Sequence, residues 1–317
     1  MNKNKINKLN KLKIDWDKFN SNPDNKSVRI RDAANKLNVT EAELLSTKIN
    51  KSVYYLKISD YNNFFNKLLK VDKIMLLIRS NFVVHEKIID TKSVIFDKNK
   101  IIDKENKYPI LNFDLKSFQH VFFEKKIHQN KNLLSFQFFD YEGNSIIKTY
   151  LKGKDEKLFN KIANEYCVDY NYELQDVSKA KHFKFECEFI KNDNLKLIEK
   201  IKRFDQFMLR DILESASKGK FPIQLHALGN YANQYHFGKV KNIMDFGPWI
   251  NVIDKKFNIH AMEKNISQIF IIKNQFNGNE QYAVEFYDQL DNFVLYAEAI
   301  AGYENEFNKV IKKGLSK

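Results

Sequence analysis

Glycine, proline and cysteine are scarce in this chain, with 9 Gly, 4 Pro and 2 Cys in 317 residues. So little glycine and proline excludes collagen-like architecture and Gly/Pro-rich linkers. Cys167 and Cys187 make no disulfide framework, and without a CxxC spacing they make no structural zinc site. Long apolar runs are missing as well. No stretch approaches the roughly eighteen apolar residues of a membrane-spanning helix. The N-terminal MNKNKINKLNKLK lacks the apolar centre of a secretory signal. GxGxxG, the Walker loop, GxSxG and HExxH are all absent. These absences lead us to expect a soluble, cytoplasmic protein without nucleotide-loop, serine-hydrolase or zincin chemistry.

What is present is enough for a packed core: 43% of residues are hydrophobic and 29% charged. Lys and Arg number 53 against 40 Asp and Glu, leaving +13. That excess favours anionic partners, although a solvated Lys-rich surface accounts for it equally. Part of it lies in a basic N-terminal tail, 1–24, which reads as a frayed end or as the polar start of a helix. There are 27 Phe and 15 Tyr, but Lys, Asn, Ile and Phe are enriched together, so the count alone does not indicate an aromatic-lined pocket.

Thr40 followed by Glu43 forms a capping-box signature after a turn at Asn38, so VRIRDAANKLNVTEAELLSTKI reads as two short helices. A DNA-reading helix pair could begin this way. However, Glu41 and Glu43 stand where such a helix needs donors to bases and phosphates, and the charge is not joined to an aromatic–basic motif. Nucleic acid is therefore not the expected partner. A helix over Asp60–Leu69 precedes alternating strands at Lys73–Ile78, Phe82–Ile88, Val94–Phe96, Leu133–Phe139 and Ser145–Leu151, then a helix over Asp155–Tyr166. After a connector, 167–193, with a strand at Phe183–Ile190, the pattern predicts a helix over Leu195–Ser215. Strands at Phe221–Leu228, Asn233–Val240, Ile266–Ile272, Tyr282–Phe286 and Phe293–Ala297 follow, with a closing helix over Tyr303–Lys313.

The two halves can be laid over one another. SFQFFDYEGNSIIKTYL, ending at Leu151, matches AVEFYDQLDNFVLYAEA, ending at Ala299, each with a helix after it. NFVVHEKII from Asn81 is set against NQYHFGKVK from Asn233, which places His85 beside His236. The expected fold is α+β: an internal tandem duplication of two antiparallel β-sheet repeats with flanking helices and a central ligand cleft. The first repeat would span 25–166 and the second 194–317.

Seven histidines remain as chemical candidates: His85, His120, His128, His182, His226, His236 and His260. None has the i, i+4 partner of a zinc site, and each taken alone is equally explained by packing. A single histidine can nevertheless hold a haem, because the porphyrin supplies the other in-plane ligands.

Phe246–Lys273 (FGPWINVIDKKFNIHAMEKNISQIFIIK) resembles the signature of the bacterial hemin-degrading and haem-trafficking proteins of the HemS/ChuS/HmuS type. Arg31–Leu44, Ile78–Lys87, Phe113–Phe118, Leu134–Leu151 and Gly229–Val240 are similar to further family stretches in the same order. The resemblance covers about 25–165 and 205–315. It implies haem held in a cleft between tandem repeats, downstream of a haem importer.

Residue by residue, it puts Lys116 of DLKSF at a family arginine that faces the haem, Lys273 at the first of a basic pair whose second member is Asn274, and Tyr296 at a haem-facing tyrosine. Ala299 takes the place of a second arginine, and Glu298 beside it would repel a propionate. The family keeps its axial histidine between the repeats. Here His182 is the histidine of that connector, with Phe183 and Phe185 beside it to face a porphyrin edge. His85 is the alternative ligand. The function implied is haem utilisation, carrying imported haem, degrading it oxidatively with an electron donor to release iron, or both. The alternative is a degenerate relative that turns over no haem and binds another anionic ligand or a partner.

Overall fold

The computed structural model describes residues 3–26, 28–128, 131–169, 196–203, 208–276 and 279–316. The first repeat contains α1 (Lys3–Ser21), α2 (Ile30–Lys36), α3 (Glu41–Ser46), β1 (Val53–Leu56), α4 (Tyr61–Leu68), β2 (Lys73–Arg79) and β3 (Val83–Asp90). It continues with β4 (Val94–Asp97), β5 (Lys100–Asp103), β6 (Pro109–Phe113), β7 (His120–His128), β8 (Lys131–Phe139), β9 (Ser145–Leu151) and α5 (Glu156–Tyr166). The second begins with β10 (Lys196–Arg203), α6 (Met208–Gly219), β11 (Ile223–Leu228), β12 (Ala232–Gly238), β13 (Ile243–Phe246), β14 (Trp249–Ile253) and β15 (Phe257–Ala261). It ends with β16 (Ile266–Phe276), β17 (Asn279–Asp288), β18 (Phe293–Ala299) and α7 (Glu304–Leu315).

Two nine-stranded antiparallel sheets result, ordered β1-β7-β8-β9-β2-β3-β15-β14-β13 and β10-β16-β17-β18-β11-β12-β6-β5-β4. Position by position these are the same arrangement, so the expected α+β duplication is present. The matched segments at 139–151 and 287–299 occupy equivalent third and fourth positions. The duplication carries one feature that the strand pattern did not announce. Strands β4–β6 of the first repeat complete the second sheet, and β13–β15 of the second repeat complete the first.

Contacts divide the chain into two compact units, Met1–Ile74 with Asp114–Phe183, and Met75–Phe113 with Lys184–Lys317. In the first unit, Phe64 and Phe65 of α4 and Phe159 of α5 pack on Phe136 and Phe138 of β8, with ring centroids 4.4–5.8 Å apart. The other face of these strands is covered too: Ala42 and Leu45 of α3 bury against Val53, Phe122 and Phe139. The capping box at Thr40 and Glu43 is formed, and Asn38 takes the left-handed φ of 53° that turns the chain. Of the two readings of the basic N-terminus, the helical one is built. The α1 helix buries Leu12 and Trp16 against Ala33, Ala34 and Leu44.

In the second unit, Ile223, Leu225, Val284, Phe286, Leu295 and Ala297 are fully buried on the face beneath α7, which itself packs on α6. Gly314 is buried where these helices meet, and a Cβ there would displace the flexible end of the Met208 side chain.

Two expectations are corrected. Leu195–Ser215 is not one helix, because Lys196–Arg203 is an edge strand laddered to β16 and α6 begins only at Met208. The pairing is with residues far away in sequence, and long-range pairing overrides local helical preference. The histidine register between repeats is also different. The bonds Ser80 N to Val83 O and Gly229 N to Ala232 O mark the same turn in each repeat. Asn81 therefore corresponds to Asn230, His85 to Gln234 and Lys87 to His236.

Lys148 of β9 and Glu41 of α3 form a buried ion pair at 2.7 Å, with 7% and 4% of their side chains exposed. Removing one partner strands a buried charge. Glu41→Ala should lower unfolding free energy in urea by about 3–5 kcal/mol, while Glu41→Leu combined with Lys148→Met should lose far less. Equal losses in the single and double variants would show that the pair is not what holds α3 to β9.

Candidate functional site

Alternation along β11, β12 and β18 sorts side chains of the second unit onto two faces. Opposite the helix-covered face lie Gln224 and His226 of β11, Tyr235 and Phe237 of β12, Tyr296 and Glu298 of β18, and Glu285 of β17. In the first repeat, the position equivalent to Tyr296 is Lys148, since Phe138 faces Ile147 as Phe286 faces Leu295. Thus one position that in the first repeat ties down α3 carries, in the second, a tyrosine within a polar and aromatic surface.

That surface is organised by hydrogen bonds. Gln224 Nε2 donates to His226 Nε2 at 2.6 Å and to Glu298 Oε1 at 2.5 Å. The Tyr296 hydroxyl donates to Glu298 Oε2 at 2.6 Å. Next to them Glu285 is paired with Lys200 at 2.7 Å and accepts from the Tyr287 hydroxyl at 3.1 Å. Burial pushes the Glu298 carboxyl up to about 7, with the Tyr296 hydrogen bond opposing the shift. Burial lowers His226 to about 3, so its ring is neutral, and its Nε2 acts as acceptor. Flat rings border the network: Tyr235 lies 4.6 Å from the His226 ring, and Tyr108 stacks on Phe237 at 4.5 Å. A few convergent polar groups, a shifted carboxyl and aromatic walls are the ordinary make-up of a ligand face.

A second cluster lies on the other side of β12. His236 stacks on Phe257 at 3.6 Å, and His85 meets the same ring at 5.0 Å. Neither ring nitrogen of His85, nor Nε2 of His236, has a hydrogen-bond partner among the described residues. Lys87, lowered by burial to about 8, donates to the Tyr235 carbonyl at 2.9 Å. Burial, and then the neighbouring His236 and Lys87 charges, hold His85 well below the usual imidazole range. The Gln234 amide opposes this in part, without a hydrogen bond of normal geometry to either ring nitrogen. Burial lowers His236 to about 3.

The residues singled out in the sequence are dispersed by these placements. His85 is fully buried in the apolar-side cluster. Tyr296 is on the polar face. Lys116 is exposed on the turn Leu115–Ser117, with its backbone N–H held by Asp114. Lys273 falls on the helix-side face, opposite to Tyr296 by alternation, and its ammonium is paired with Glu280, which Lys312 of α7 shares. His182, Phe183 and Phe185 lie outside the described residues. Sequence reasoning missed Gln224, Glu285 and Lys200. The period-two pattern of IQLHAL would have placed Gln224 and His226 on one face, but not in contact with Glu298, which is far away in sequence.

The buried imidazoles of His85, His226 and His236 give a pH dependence whose sign is fixed. The unfolded rings protonate as pH falls through about 6.5, whereas the folded ones stay neutral to much lower pH. The unfolded chain then binds more protons, so stability is fully present above that pH and falls below it. Each histidine should contribute a slope of about 1.4 kcal/mol per pH unit. Urea unfolding between pH 7 and pH 5 should show the loss, with a shallower slope for His85→Gln. An unchanged slope in that variant would remove His85 from the set.

The haemin-degrading HemS.ChuX domain matches residues 38–166 and 194–299, most of both repeats. No curated protein matches the sequence. Among solved structures, the chain is similar to the Escherichia coli O157:H7 heme degrading enzyme ChuS, with 18% identity and a TM-score of 0.79, covering 96% of this chain and 98% of that one. Holo-PhuS, a heme-binding protein from Pseudomonas aeruginosa, is matched at 17% identity and a TM-score of 0.75, covering 94% and 97%. A second ChuS structure, described as an E. coli heme oxygenase, is matched at 17% identity and a TM-score of 0.73, covering 89% and 95%. At such identities the likeness of structure speaks for the fold, and the match over both repeats speaks for descent. The chain belongs to the haemin-degrading HemS.ChuX domain family.

Proposed function

We propose that this protein binds haem and serves haem utilisation in the cytoplasm, as carrier of imported haem, as its oxidative degrader, or as both. The observation that carries the reading is the family match over both repeats, and the polar face of the second sheet is compatible with it. The exposed Tyr108, stacked on the half-buried Phe237, offers a ring face that suits a porphyrin, while Tyr235 and Tyr296 are buried behind the surface. Lys116, exposed and without an acidic partner in the described contacts, suits a propionate.

Among the described residues His226 is the histidine of this face, and its Nε2 is taken by Gln224. His85, His120, His226 and His236 are buried, and His260 is engaged with Asn251 at 2.6 Å. The axial role is the one that the family resemblance assigns to His182 of the connector, with Phe183 and Phe185 beside it and His85 as the alternative. Lys273, held by Glu280 on the helix side, is not needed in this arrangement. Haem would supply the iron at which O2 reacts with electrons from an external donor, and its own macrocycle would be the substrate opened. The chain's part is to hold the imidazole, the propionates and the dry aromatic wall.

Titration of the full chain with hemin should give a saturable new Soret band. His182→Ala should blue-shift or broaden it, and His85→Ala should leave it in place. Lys116→Ala should weaken binding roughly 1.4- to 5-fold and lessen its salt dependence, the scale of one exposed ionic contact. Non-saturable broadening in the unaltered chain would favour the second reading, a relative that binds another anionic ligand or a partner. Glu298, a carboxyl on the proposed ligand face, is the feature that favours it.

A further inference from the structure

Strand β13 ends the order of the first sheet, so one side of its backbone N–H and C=O groups faces no neighbouring strand. Its side chains Met244 and Phe246 are 52% and 79% exposed, and Ile253 of β14 is 38% exposed. Alternation, with Phe246 opposite Trp249 and Met244 opposite Asn251, puts these three and Trp249 on one face. The duplication supplies an internal comparison. The strand in this place in the second sheet is β4. Its hairpin with β5 is closed by Asp97 opposite Lys100, where β13 and β14 are closed by Phe246 opposite Trp249. Both turns begin on a left-handed residue, Lys98 at φ 55° and Gly247 at φ 56°. The same hairpin thus closes without an aromatic pair, and the turn does not require Phe246.

The opposite face of β13 carries charge. Asp245, with 64% of its side chain exposed, meets Arg210 of α6 at 2.7 Å. The same guanidinium takes Glu263 at 2.5 Å and Glu214 at 3.7 Å, and Lys218 meets Glu214 at 3.0 Å. Three carboxylates therefore share two cations. Glu263 is only 9% exposed, and its Oε1 has no hydrogen-bond partner among the described residues. In the first repeat the position of Asp245 is held by Phe96, which stacks on Phe113 instead. An open backbone edge thus lies between an apolar face and an acidic one.

We propose that β13 is a docking edge for an extended segment of another protein whose alternate residues are apolar and basic. Backbone hydrogen bonds would add the segment to the sheet as a further strand. Its apolar side chains would lie against Met244 and Phe246, and a basic one against Asp245 and Glu263. A second copy of this chain fits less well. Antiparallel pairing of β13 with itself puts residues of the same face opposite one another. Asp245 would then meet either its own counterpart or an apolar residue, and like charges directly opposite are destabilising. The same carboxylates disfavour an anionic membrane surface. The net charge of +13 repels a cationic segment at long range, so its capture has to come from this edge.

The test titrates the full chain into a dye-labelled, end-capped peptide, Lys-Val-Lys-Val-Lys-Val, and follows fluorescence anisotropy. Binding should be saturable. It should be lost with the block peptide Lys-Lys-Lys-Val-Val-Val, which has the same composition, and with the alternating peptide N-methylated at every second bond. Phe246→Asp combined with Trp249→Lys installs the closing pair with which the first repeat already folds. That variant should weaken binding about tenfold or more, the scale of losing an aromatic anchor. Asp245→Asn should weaken it roughly 1.4- to 5-fold and flatten its salt dependence, and it keeps the test open should the double variant fail to fold. Equal binding of the alternating, block and N-methylated peptides would overturn the proposal, as would an affinity that neither variant moves. Two further outcomes would overturn it in favour of another occupant. One is a dimer of the unaltered chain that the double variant abolishes. The other is sedimentation with phosphatidylserine–phosphatidylcholine vesicles that depends on Phe246. None of these measurements needs haem, so their outcome is separate from that of the hemin titration.

Discussion

The backbone ladders that receive the exchanged hairpins carry much of the second unit. Ala232, Asn233 and Gln234 of β12 pair with Phe113, Asn112 and Leu111 of β6, and Val83–Lys87 of β3 pair with Ala261–Phe257 of β15. An edge strand left with unpaired N–H and C=O groups is exposed to wrong pairing, and these ladders turn β3 and β12 into interior strands. Ala232–His236 of β12 and Val83–His85 of β3 are buried on both faces, so polar residues placed there are buried. His85, Gln234 and His236 are polar groups in that position, and their neutral rings packed around Phe257 follow from it.

Duplication supplied two copies of one scaffold, and divergence has been uneven between them. The turns after β8 and β17 are still the same device. Asp140 accepts from the Asn144 N–H, and Asp288 accepts from the Leu290 and Asn292 N–H groups, each carboxyl being buried at the hairpin end. An Asp that satisfies the turn backbone is hard to replace, because its loss leaves buried donors unpaired. One strand further on, the constraint is looser. Lys148 is committed to Glu41 and its helix, whereas Tyr296 belongs to a network of side chains that could face a ligand. The first repeat has spent this face on packing, and the second has kept it polar and aromatic.

What was legible in the sequence divides along physical lines. Strands β8, β9, β17 and β18 alternate cleanly and end in an Asp-to-Asn turn, so both their existence and their equivalence could be read. The capping box at Thr40 and Glu43 was legible because it is a local hydrogen-bond pattern. Strand β10 was not, since LIEKIKR supports a helix as well as a charged edge strand, and only pairing with β16 decides. Strand β7, which holds HVFFEKKIH, and the short hairpin strands β13–β15 went unread because their faces are set by partners from elsewhere in the chain. The slip of His85 onto His236 has the same origin. Two His-bearing runs of similar composition were aligned by residue identity, whereas backbone bonds at Ser80 and Gly229 fix a register that pairs His85 with Gln234.

The net charge of +13 at first suggested an anionic partner, yet it is not gathered at the candidate face. Lys200 there is cancelled by Glu285, and Glu298 adds a negative charge whenever it is ionised. Long-range attraction by the lysine-rich surface would bring a carboxylated ligand near, but it cannot decide whether the ligand is accepted. His85 and His236, on the other side of β12, are held neutral by burial well below the range in which the Glu298 carboxyl titrates. The same burial thus has two consequences. It makes the imidazoles a stability term felt only in acid, and it pushes the Glu298 carboxyl on the opposite face up to about 7.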